Sequence, residues 1–228
     1  MKPSLSVSKP KVCGILGGTF DPVHLGHVAL ADAALRELPL AQVLWLPSGS
    51  PGHRTAPLAD TGHRLAMLRL ATAGNARFRI DSTELESKQT TYTVHALTRL
   101  RTQLGALQPL VMLLGADSFL SLTTWLRWRE LFDLAHFAVA DRPGHRAPVS
   151  AMPAELAEQV ERRAATADHL EECAAGSIVR FDMPQMEISA SCIRSAIACG
   201  DSVRHLLSGA VLAYIDAQHL YRKETHKP

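Results

Sequence analysis

Short apolar runs alternate with longer segments of mixed character along most of the chain. The apolar runs have the length of buried parallel strands, and several of them end at glycine or proline. They cover residues 12–17, 42–46, 78–80, 110–114, 136–140 and 178–181. The segments between them repeat apolar residues at helical spacing and are predicted to be helices. These segments cover residues 24–38, a helix that begins at Asp60 or Thr61, and residues 92–104, 154–173, 191–199 and 209–219.

This alternation is the signature of an α/β fold, here a Rossmann-like, doubly wound parallel sheet with helices on both faces. After the last apolar run the pattern becomes helical only, which predicts a small C-terminal helical subdomain at about residues 185–222. We therefore expect one domain over residues 11–222. Residues 1–10 are expected to form a flexible tail, and residues 223–228 a second tail.

The overall composition is that of an ordinary globular protein. Of the 228 residues, 46% are hydrophobic and 20% are charged, with a formal net charge of +2, which argues against disorder. So small a basic surplus predicts no nucleic-acid arm and no strongly polyanionic partner. Arginine supplies most of the positive charge, which favours forked contacts with phosphate or carboxylate groups.

Cysteine usage and the lengths of the apolar runs indicate the compartment. Cys13, Cys173, Cys192 and Cys199 include no C-x-x-C pair, so reduced thiols are expected instead of a disulfide framework or a structural zinc site. The first residues lack the apolar core of a signal peptide, and no run approaches the ~18 apolar residues of a membrane helix. These features predict a cytoplasmic protein with no membrane partner.

The ends of the predicted strands indicate where a ligand binds, because doubly wound sheets hold ligands beyond the carboxyl ends of their strands. That rule selects residues 17–27, 48–54, 115–118 and 141–144, together with the helix start near Ser189. We expect the chemistry of the protein to lie among these segments.

The most informative of these segments is residues 17–27, with the sequence G-G-T-F-D-P-V-H-L-G-H. Its two glycines allow the backbone to pass close to a ligand and expose amide donors. His24 and His27 share a face on the first turn of a helix, where both imidazoles can donate to phosphate oxygens. The loop lacks the spacing of a dinucleotide fingerprint and the lysine of a P-loop. The alternative is an ordinary turn with two surface histidines.

A second anion site is predicted at residues 188–194, with the sequence I-S-A-S-C-I-R. Ser189 is placed to cap a helix, so free amides and hydroxyls point to one spot, where Arg194 adds a positive charge. The alternative is an ordinary capped helix with an exposed arginine.

Both stretches resemble the nucleotidyltransferase superfamily that carries an H-x-G-H motif. The long form G-G-T-F-D-P-V-H-x-G-H is similar to that of bacterial nicotinate-mononucleotide adenylyltransferases, and the later stretch resembles their I-S-[SA]-[TS]-x-I-R motif, with Ala190 where many members have Ser. The resemblance covers about residues 12–221. It implies that the catalytic residues are His24, His27 and Arg194. It assigns ATP binding to Gly17, Gly18, Thr19, Phe20, His24, His27, Asp117, Arg142, Ile188, Ser189, Ser191 and Arg194.

Weaker matches lie between the two motifs, in the order found in the family. Residues 51–54 (P-G-H-R) resemble its P-P-H-[KR] loop, with Gly52 in place of Pro, and residues 91–93 (T-Y-T) resemble its S-Y-T segment. Residues 115–118 (G-A-D-S) and the later Trp125 resemble its G-x-D-[SA] and tryptophan regions. This resemblance assigns binding of the mononucleotide to Thr19, His53, Arg54, Tyr92, Thr93, Val94 and Trp125.

One further turn, at residues 141–144 (D-R-P-G), resembles the x-R-P-G turn of the family. Asp141 stands where the doubly basic version has a second arginine. The resemblance therefore implies that Arg142 contacts ATP, and that the second basic contact of the family turn is replaced here by Asp141.

The resemblance implies adenylyl transfer from ATP to nicotinate mononucleotide, which gives nicotinate adenine dinucleotide and pyrophosphate in NAD biosynthesis. It implies that Asp117 accepts a hydrogen bond from a ribose hydroxyl and that Trp125 stacks on the pyridine ring. Backbone amides at residues 92–94 are expected to bind the nicotinate carboxylate. Mg²⁺ is the implied cofactor, bridged by substrate phosphates and held by no protein side chain.

Two alternatives to this reaction stay open on the sequence. One is another H-x-G-H adenylyltransferase, acting on nicotinamide mononucleotide or phosphopantetheine. The other is a nucleotide-sensing module that binds without turnover. In the preferred interpretation, the partners are ATP and nicotinate mononucleotide, with no nucleic acid, and the protein is a monomer or a small homo-oligomer.

Overall fold

A parallel β-sheet forms the centre of the molecule. The computed structural model describes residues 10–51, 57–87, 90–141, 149–184 and 186–222. In chain order the strands are Cys13–Gly18 (β1), Gln42–Pro47 (β2), Ser50–Pro51 (β3), Phe78–Ile80 (β4), Thr90–Thr91 (β5), Leu110–Gly115 (β6), His136–Asp141 (β7) and Ile178–Asp182 (β8). Six of them form the main sheet, and the short strands β3 and β5 pair with each other.

The main sheet has the strand order β4-β2-β1-β6-β7-β8, and every neighbouring pair is parallel. From β1 the chain moves outward through β2 to β4, returns to β6 on the other side of β1, and then continues outward to β8. The reversal between β1 and β6 is the switch point of a doubly wound sheet, where a crevice opens beyond the carboxyl ends of the strands. The predicted Rossmann-like architecture is therefore confirmed.

Helices cover both faces of this sheet. They are Leu25–Glu37 (α1), Thr61–Thr72 (α2), Thr83–Glu86 (α3), Thr93–Leu104 (α4), Ala116–Leu120 (α5), Leu131–Leu134 (α6), Ala154–Arg163 (α7), Ala190–Cys199 (α8) and Gly209–Ala217 (α9). One core cluster includes buried residues of α1, α2, α8 and α9, and the other includes those of α4, α6 and α7. Within the described residues, no helix has the length and apolar character needed to cross a membrane.

The prediction of one long helix over residues 154–173 was wrong. Helix α7 ends at Arg163, because the next residues leave the helix to pair with β8. Ala164 forms an isolated parallel bridge with Ile178, and the Ala165 amide donates to the Ile178 carbonyl at 2.9 Å. A 3₁₀ turn at Ala167–Glu171 follows. The pairing of this segment is non-local, so helical spacing alone could not reveal it.

The predicted helical C-terminal region is present and packs against the rest of the protein. Buried Ile193 of α8 and Ile215 of α9 belong to the same core cluster as the buried side of α1. The amide of Leu25, at the start of α1, donates to the Leu206 carbonyl at 3.0 Å, and the Tyr214 hydroxyl lies 2.9 Å from Nδ1 of His63 on α2. The boundaries of a single domain at residues 11–222 stay a prediction.

Candidate active site

The backbone turns sharply where β1 ends. Gly18 leaves no room for a side chain, because a Cβ there would lie 2.9 Å from the Phe20 ring. Phe20 has a φ of +51°, and its ring is buried against Trp45 and His27, with centroid separations of 5.5 and 5.0 Å. The Phe20 side chain thus belongs to the core, and only its backbone is left to serve the predicted ATP contact.

The two histidines of the motif lie together at the start of α1. Their rings stack with centroids 3.7 Å apart, and the amide of His24 donates to Nδ1 of His27 at 3.2 Å. A neutral His27 ring therefore carries its hydrogen on Nε2. A Cβ on Gly26 would lie 3.1 Å from Nδ1 of His24, so the glycine between the histidines makes room for the His24 ring.

Burial decides the charge of His24. Its side chain is almost fully buried, and its Nδ1 atom has no hydrogen-bond partner. Desolvation lowers the pKa of His24 to about 4, so the ring is neutral near pH 7. The neutral His24 ring can therefore donate a hydrogen bond while it carries no positive charge.

The start of α8 has the predicted cap. Ser189 is the N-cap residue, and its hydroxyl oxygen accepts the Cys192 amide at 3.2 Å. The hydroxyl oxygens of Ser189 and Ser191 are 3.1 Å apart, and both residues are exposed. Exposed hydroxyls at the positive end of a helix form an anion-binding surface.

The two motifs adjoin in space. A Cβ on Gly26 would lie 3.7 Å from Cβ of Ile188, and the guanidinium of Arg194 donates to the backbone carbonyl of Asp21 at 2.7 Å. Nη1 of Arg194 is also 3.8 Å from a carboxylate oxygen of Asp21. The predicted catalytic residues His24, His27 and Arg194 therefore belong to one site, although 173 residues separate Asp21 from Arg194.

A cleft opens beside this site at the carboxyl ends of β1, β2 and β6. Its empty volume of about 670 Å³ includes space that is open to solvent. Five of its lining residues were predicted, namely Gly17, Gly18, Thr19, Thr93 and Trp125. Ser48 and Thr91 lie in segments that the sequence singled out but had no assigned role, and the others were not predicted, namely Leu46, Glu84, Ala96, Leu97 and Met112. Most of these are single apolar or hydroxyl residues, which carry no motif.

Other predicted residues lie near the cleft in different ways. Tyr92 is the N-cap of α4, and Val94 is buried in the core, so Val94 offers only its backbone amide in the first helical turn. Asp117 is exposed in the first turn of α5. The predicted residues His53, Arg54 and Arg142 lie outside the described residues.

Asp141, which departs from the family pattern, is buried at the end of β7. Its carboxylate pairs with the Arg180 guanidinium on β8 through contacts of 2.6 and 2.7 Å. A bidentate pair of this kind fixes both side chains. The substitution is therefore matched by a partner on the neighbouring strand.

Sequence reasoning missed one buried charge behind the site. Arg64 of α2 is 1% exposed, and its guanidinium donates to the carbonyls of Thr19 and Ser48, each at 2.7 Å, and of Gly49 at 3.2 Å. It therefore joins the turn after β1 to the turn after β2. Arg64 is among the buried residues of α2, whereas the neighbouring Leu65 is only half-buried.

A cytidylyltransferase-like family model matches residues 15–196, and the chain belongs to that family. Two bacterial relatives, each named "Probable nicotinate-nucleotide adenylyltransferase", show the narrower similarity. The relative from Dechloromonas aromatica (strain RCB) is 50% identical over 210 residues, which covers 92% of this chain and 97% of the relative. The relative from Acidithiobacillus ferrooxidans is 43% identical over 212 residues, covering 91% and 94%.

Solved structures share the fold. The structure described as "Plasmodium falciparum nicotinic acid mononucleotide adenylyltransferase complexed with NaAD" has a TM-score of 0.69 and 16% identity, and the match covers 92% of this chain and 97% of that one. A second structure of the protein from that organism, complexed with APC, has a TM-score of 0.64 and the same identity. At this identity, the likeness establishes the fold alone.

The buried state of His24 predicts a pH dependence of stability. Between pH 6.5 and about 4, unfolded His24 binds a proton that the folded state excludes, so the free energy of unfolding falls as the pH falls. On the order of 3 kcal/mol is lost across this window. Urea unfolding at pH 7 and pH 4.5 should show a smaller loss for His24→Asn than for the wild type.

The control for this experiment is His205→Asn, at an exposed position. It should keep the wild-type pH dependence. Burial also lowers the pKa of His136, but that residue is present in every variant, so the difference isolates His24. If the free energy of unfolding depended on pH equally in His24→Asn and the wild type, the lowered pKa of His24 would be contradicted.

Proposed function

We propose that this protein transfers the adenylyl group of ATP to nicotinate mononucleotide, with release of pyrophosphate and formation of nicotinate adenine dinucleotide. The observation that carries the proposal is the contact between the turn that precedes the H-x-G-H motif and helix α8, in which Arg194 donates a hydrogen bond to the Asp21 carbonyl. An open cleft lies beside this contact. The names of relatives that are 50% and 43% identical support the choice of substrate.

The reaction exchanges one phosphorus–oxygen bond for another. A phosphate oxygen of the mononucleotide attacks the α-phosphorus of ATP, and the bond from that phosphorus to the bridging oxygen of the β-phosphate breaks. A phosphate monoester is anionic near neutral pH, so no general base is needed. The work of the protein is to align two polyanions and to stabilise charge on the leaving pyrophosphate.

In this proposal the phosphates lie between the two helix starts. His27 donates from Nε2 and His24 donates as a neutral ring, while Arg194 supplies the positive charge. The Ser191 hydroxyl and the free amides of α8 complete the donor set. Because these donors sit on two rigid helices, they are positioned before the charge develops.

Mg²⁺ belongs to the proposal as a partner of the substrates. The groups that face the site are N–H and O–H donors, which suit phosphate oxygens, and both carboxylate oxygens of nearby Asp21 accept protein hydrogen bonds. The residues present therefore fit a metal ion held by phosphate oxygens. When bound, Mg²⁺ offsets charge on the phosphates of ATP.

The cleft is the proposed site of the mononucleotide. Trp125 and Thr93 both line it, so the indole can stack on the electron-poor pyridine ring and the first-turn amides of α4 can bind the nicotinate carboxylate. A cytoplasmic location and a monomeric or small oligomeric state stay predictions.

The proposal is tested by pyrophosphate release with ATP and MgCl₂. Nicotinate mononucleotide, its amide analogue and phosphopantetheine are compared as acceptors, with mass spectrometry of the products and an EDTA arm. We expect turnover with the acid to exceed turnover with the amide by about tenfold or more in kcat/KM, and EDTA to abolish it. Turnover with phosphopantetheine alone overturns the proposal, and ATP binding without turnover supports the sensing module.

His27→Ala should lower kcat by ~10²–10³, the usual cost of removing one donor to developing charge. That change also removes the acceptor of the His24 amide, so His27→Asn is the sharper variant, because its side-chain oxygen can still accept that amide. His27→Asn should keep the wild-type fold and remain as inactive as His27→Ala. A kcat near that of the wild type in His27→Asn would contradict the role of His27 as a donor to the phosphates.

Trp125→Ala should raise KM for nicotinate mononucleotide about fivefold, since stacking contributes about 1 kcal/mol beyond burial. KM for ATP should stay within twofold of the wild type, because the indole lines the cleft and not the phosphate surface. Steady-state kinetics with each substrate varied in turn measure both constants. Leu126→Ala, at the exposed neighbouring position, is the matched control, and equal rises in both KM values would contradict the stacking.

A further inference from the structure

Asp21 is a buried acid at the centre of the phosphate-facing turn. Its residue is 3% exposed. One carboxylate oxygen accepts the Leu58 amide at 2.8 Å, and the other accepts the Ala59 amide at 3.1 Å. Burial lowers the pKa of the Arg64 guanidinium, and the charge of nearby Asp21 partly opposes that lowering. Asp21 therefore interacts with two arginines, Arg64 and Arg194.

The third donor to this carboxylate comes from the far end of the chain. The Tyr221 hydroxyl donates to the Asp21 oxygen that also accepts Ala59, at 2.7 Å and across 200 residues of sequence. Tyr221 has a φ of +61° and is half-buried, in the segment that follows α9. Burial and the Asp21 charge raise the pKa of Tyr221, so its hydroxyl stays protonated and remains a donor.

Asp21 also contacts Arg194. The Arg194 guanidinium donates to the Asp21 backbone carbonyl at 2.7 Å and lies 3.8 Å from its carboxylate. A continuous set of contacts thus runs from the Tyr221 hydroxyl through Asp21 to the guanidinium that faces the phosphates. Sequence motifs in the turn and in α8 contain two members of this set but not Tyr221.

We propose that Tyr221 is a positioning residue for the transfer reaction, which orients Asp21 and, through Asp21, holds Arg194 in place for the phosphates of ATP. This inference rests on the proposed function. Tyr221 does not touch the reacting atoms, because its hydroxyl is used by the buried carboxylate.

The physical reason is the balance of donors around a buried charge. Without the Tyr221 hydroxyl, the described donor to that carboxylate oxygen is the Ala59 amide at 3.1 Å. A less well satisfied carboxylate attracts the nearby Arg194 more strongly. The guanidinium then spends less time oriented toward ATP, whereas Trp125, which takes no part in these contacts, keeps its place in the cleft wall.

The test is Tyr221→Phe, which removes one oxygen atom and keeps the ring. KM for ATP, KM for nicotinate mononucleotide, and Tm are measured in the presence of MgCl₂. We expect KM for ATP to rise about three- to tenfold, the size of one typical intramolecular hydrogen bond, since Tyr221 acts on ATP only indirectly, and KM for the mononucleotide to stay within twofold. Tyr214→Phe is the matched control, because its hydroxyl contacts His63 and not Asp21. It should leave both KM values unchanged.

A double-mutant cycle with Arg194→Ala identifies the path of the effect. If Tyr221 acts through Arg194, Tyr221→Phe adds no further rise in KM for ATP when Arg194 is already absent. An unchanged KM for ATP, a lower Tm with equal changes in both KM values, or full additivity in the cycle would each overturn the inference. A wild-type protein that fails to turn over these substrates contradicts the proposed function itself, before any variant is compared.

Discussion

The hydrogen bond between Arg194 and the Asp21 carbonyl joins the two segments that form the proposed phosphate site. It joins the turn after β1 to the start of α8, two segments from opposite ends of the sequence. Each segment alone is a common structure, a strand-to-helix turn or a capped helix. Placed side by side at the switch point of the sheet, they present a set of donors that matches a polyphosphate.

Burial distributes the charge of this site unevenly. Arg64 places a positive charge behind the turn and holds three carbonyls, while burial keeps His24 neutral in front of it. Asp21 lies among these groups, so the turn is stabilised internally without a large surplus of charge. The proposed anion-binding surface therefore needs no large net charge, in agreement with the formal net charge of +2.

The sequence predicted the sheet, most helix positions and the two motifs, because those features depend on local pattern. It failed where the determinant is non-local. Helix α7 ends early because Ala164 and Ala165 pair with β8, and Arg64 is buried because three carbonyls from two turns converge on it. The cleft wall formed by Leu46 and Met112 was missed for the same reason, since a lone apolar residue does not indicate which cavity it faces.

The long separation between Tyr221 and Asp21 has a consequence for biosynthesis. A ribosome that adds about 5–20 residues per second needs roughly 10–40 s to make the chain between them. Throughout that time the sheet can begin to form, but the acid in the first turn lacks its last donor. The Asp21 carboxylate therefore gains the Tyr221 donor only after α9 and the segment that follows it have been synthesised.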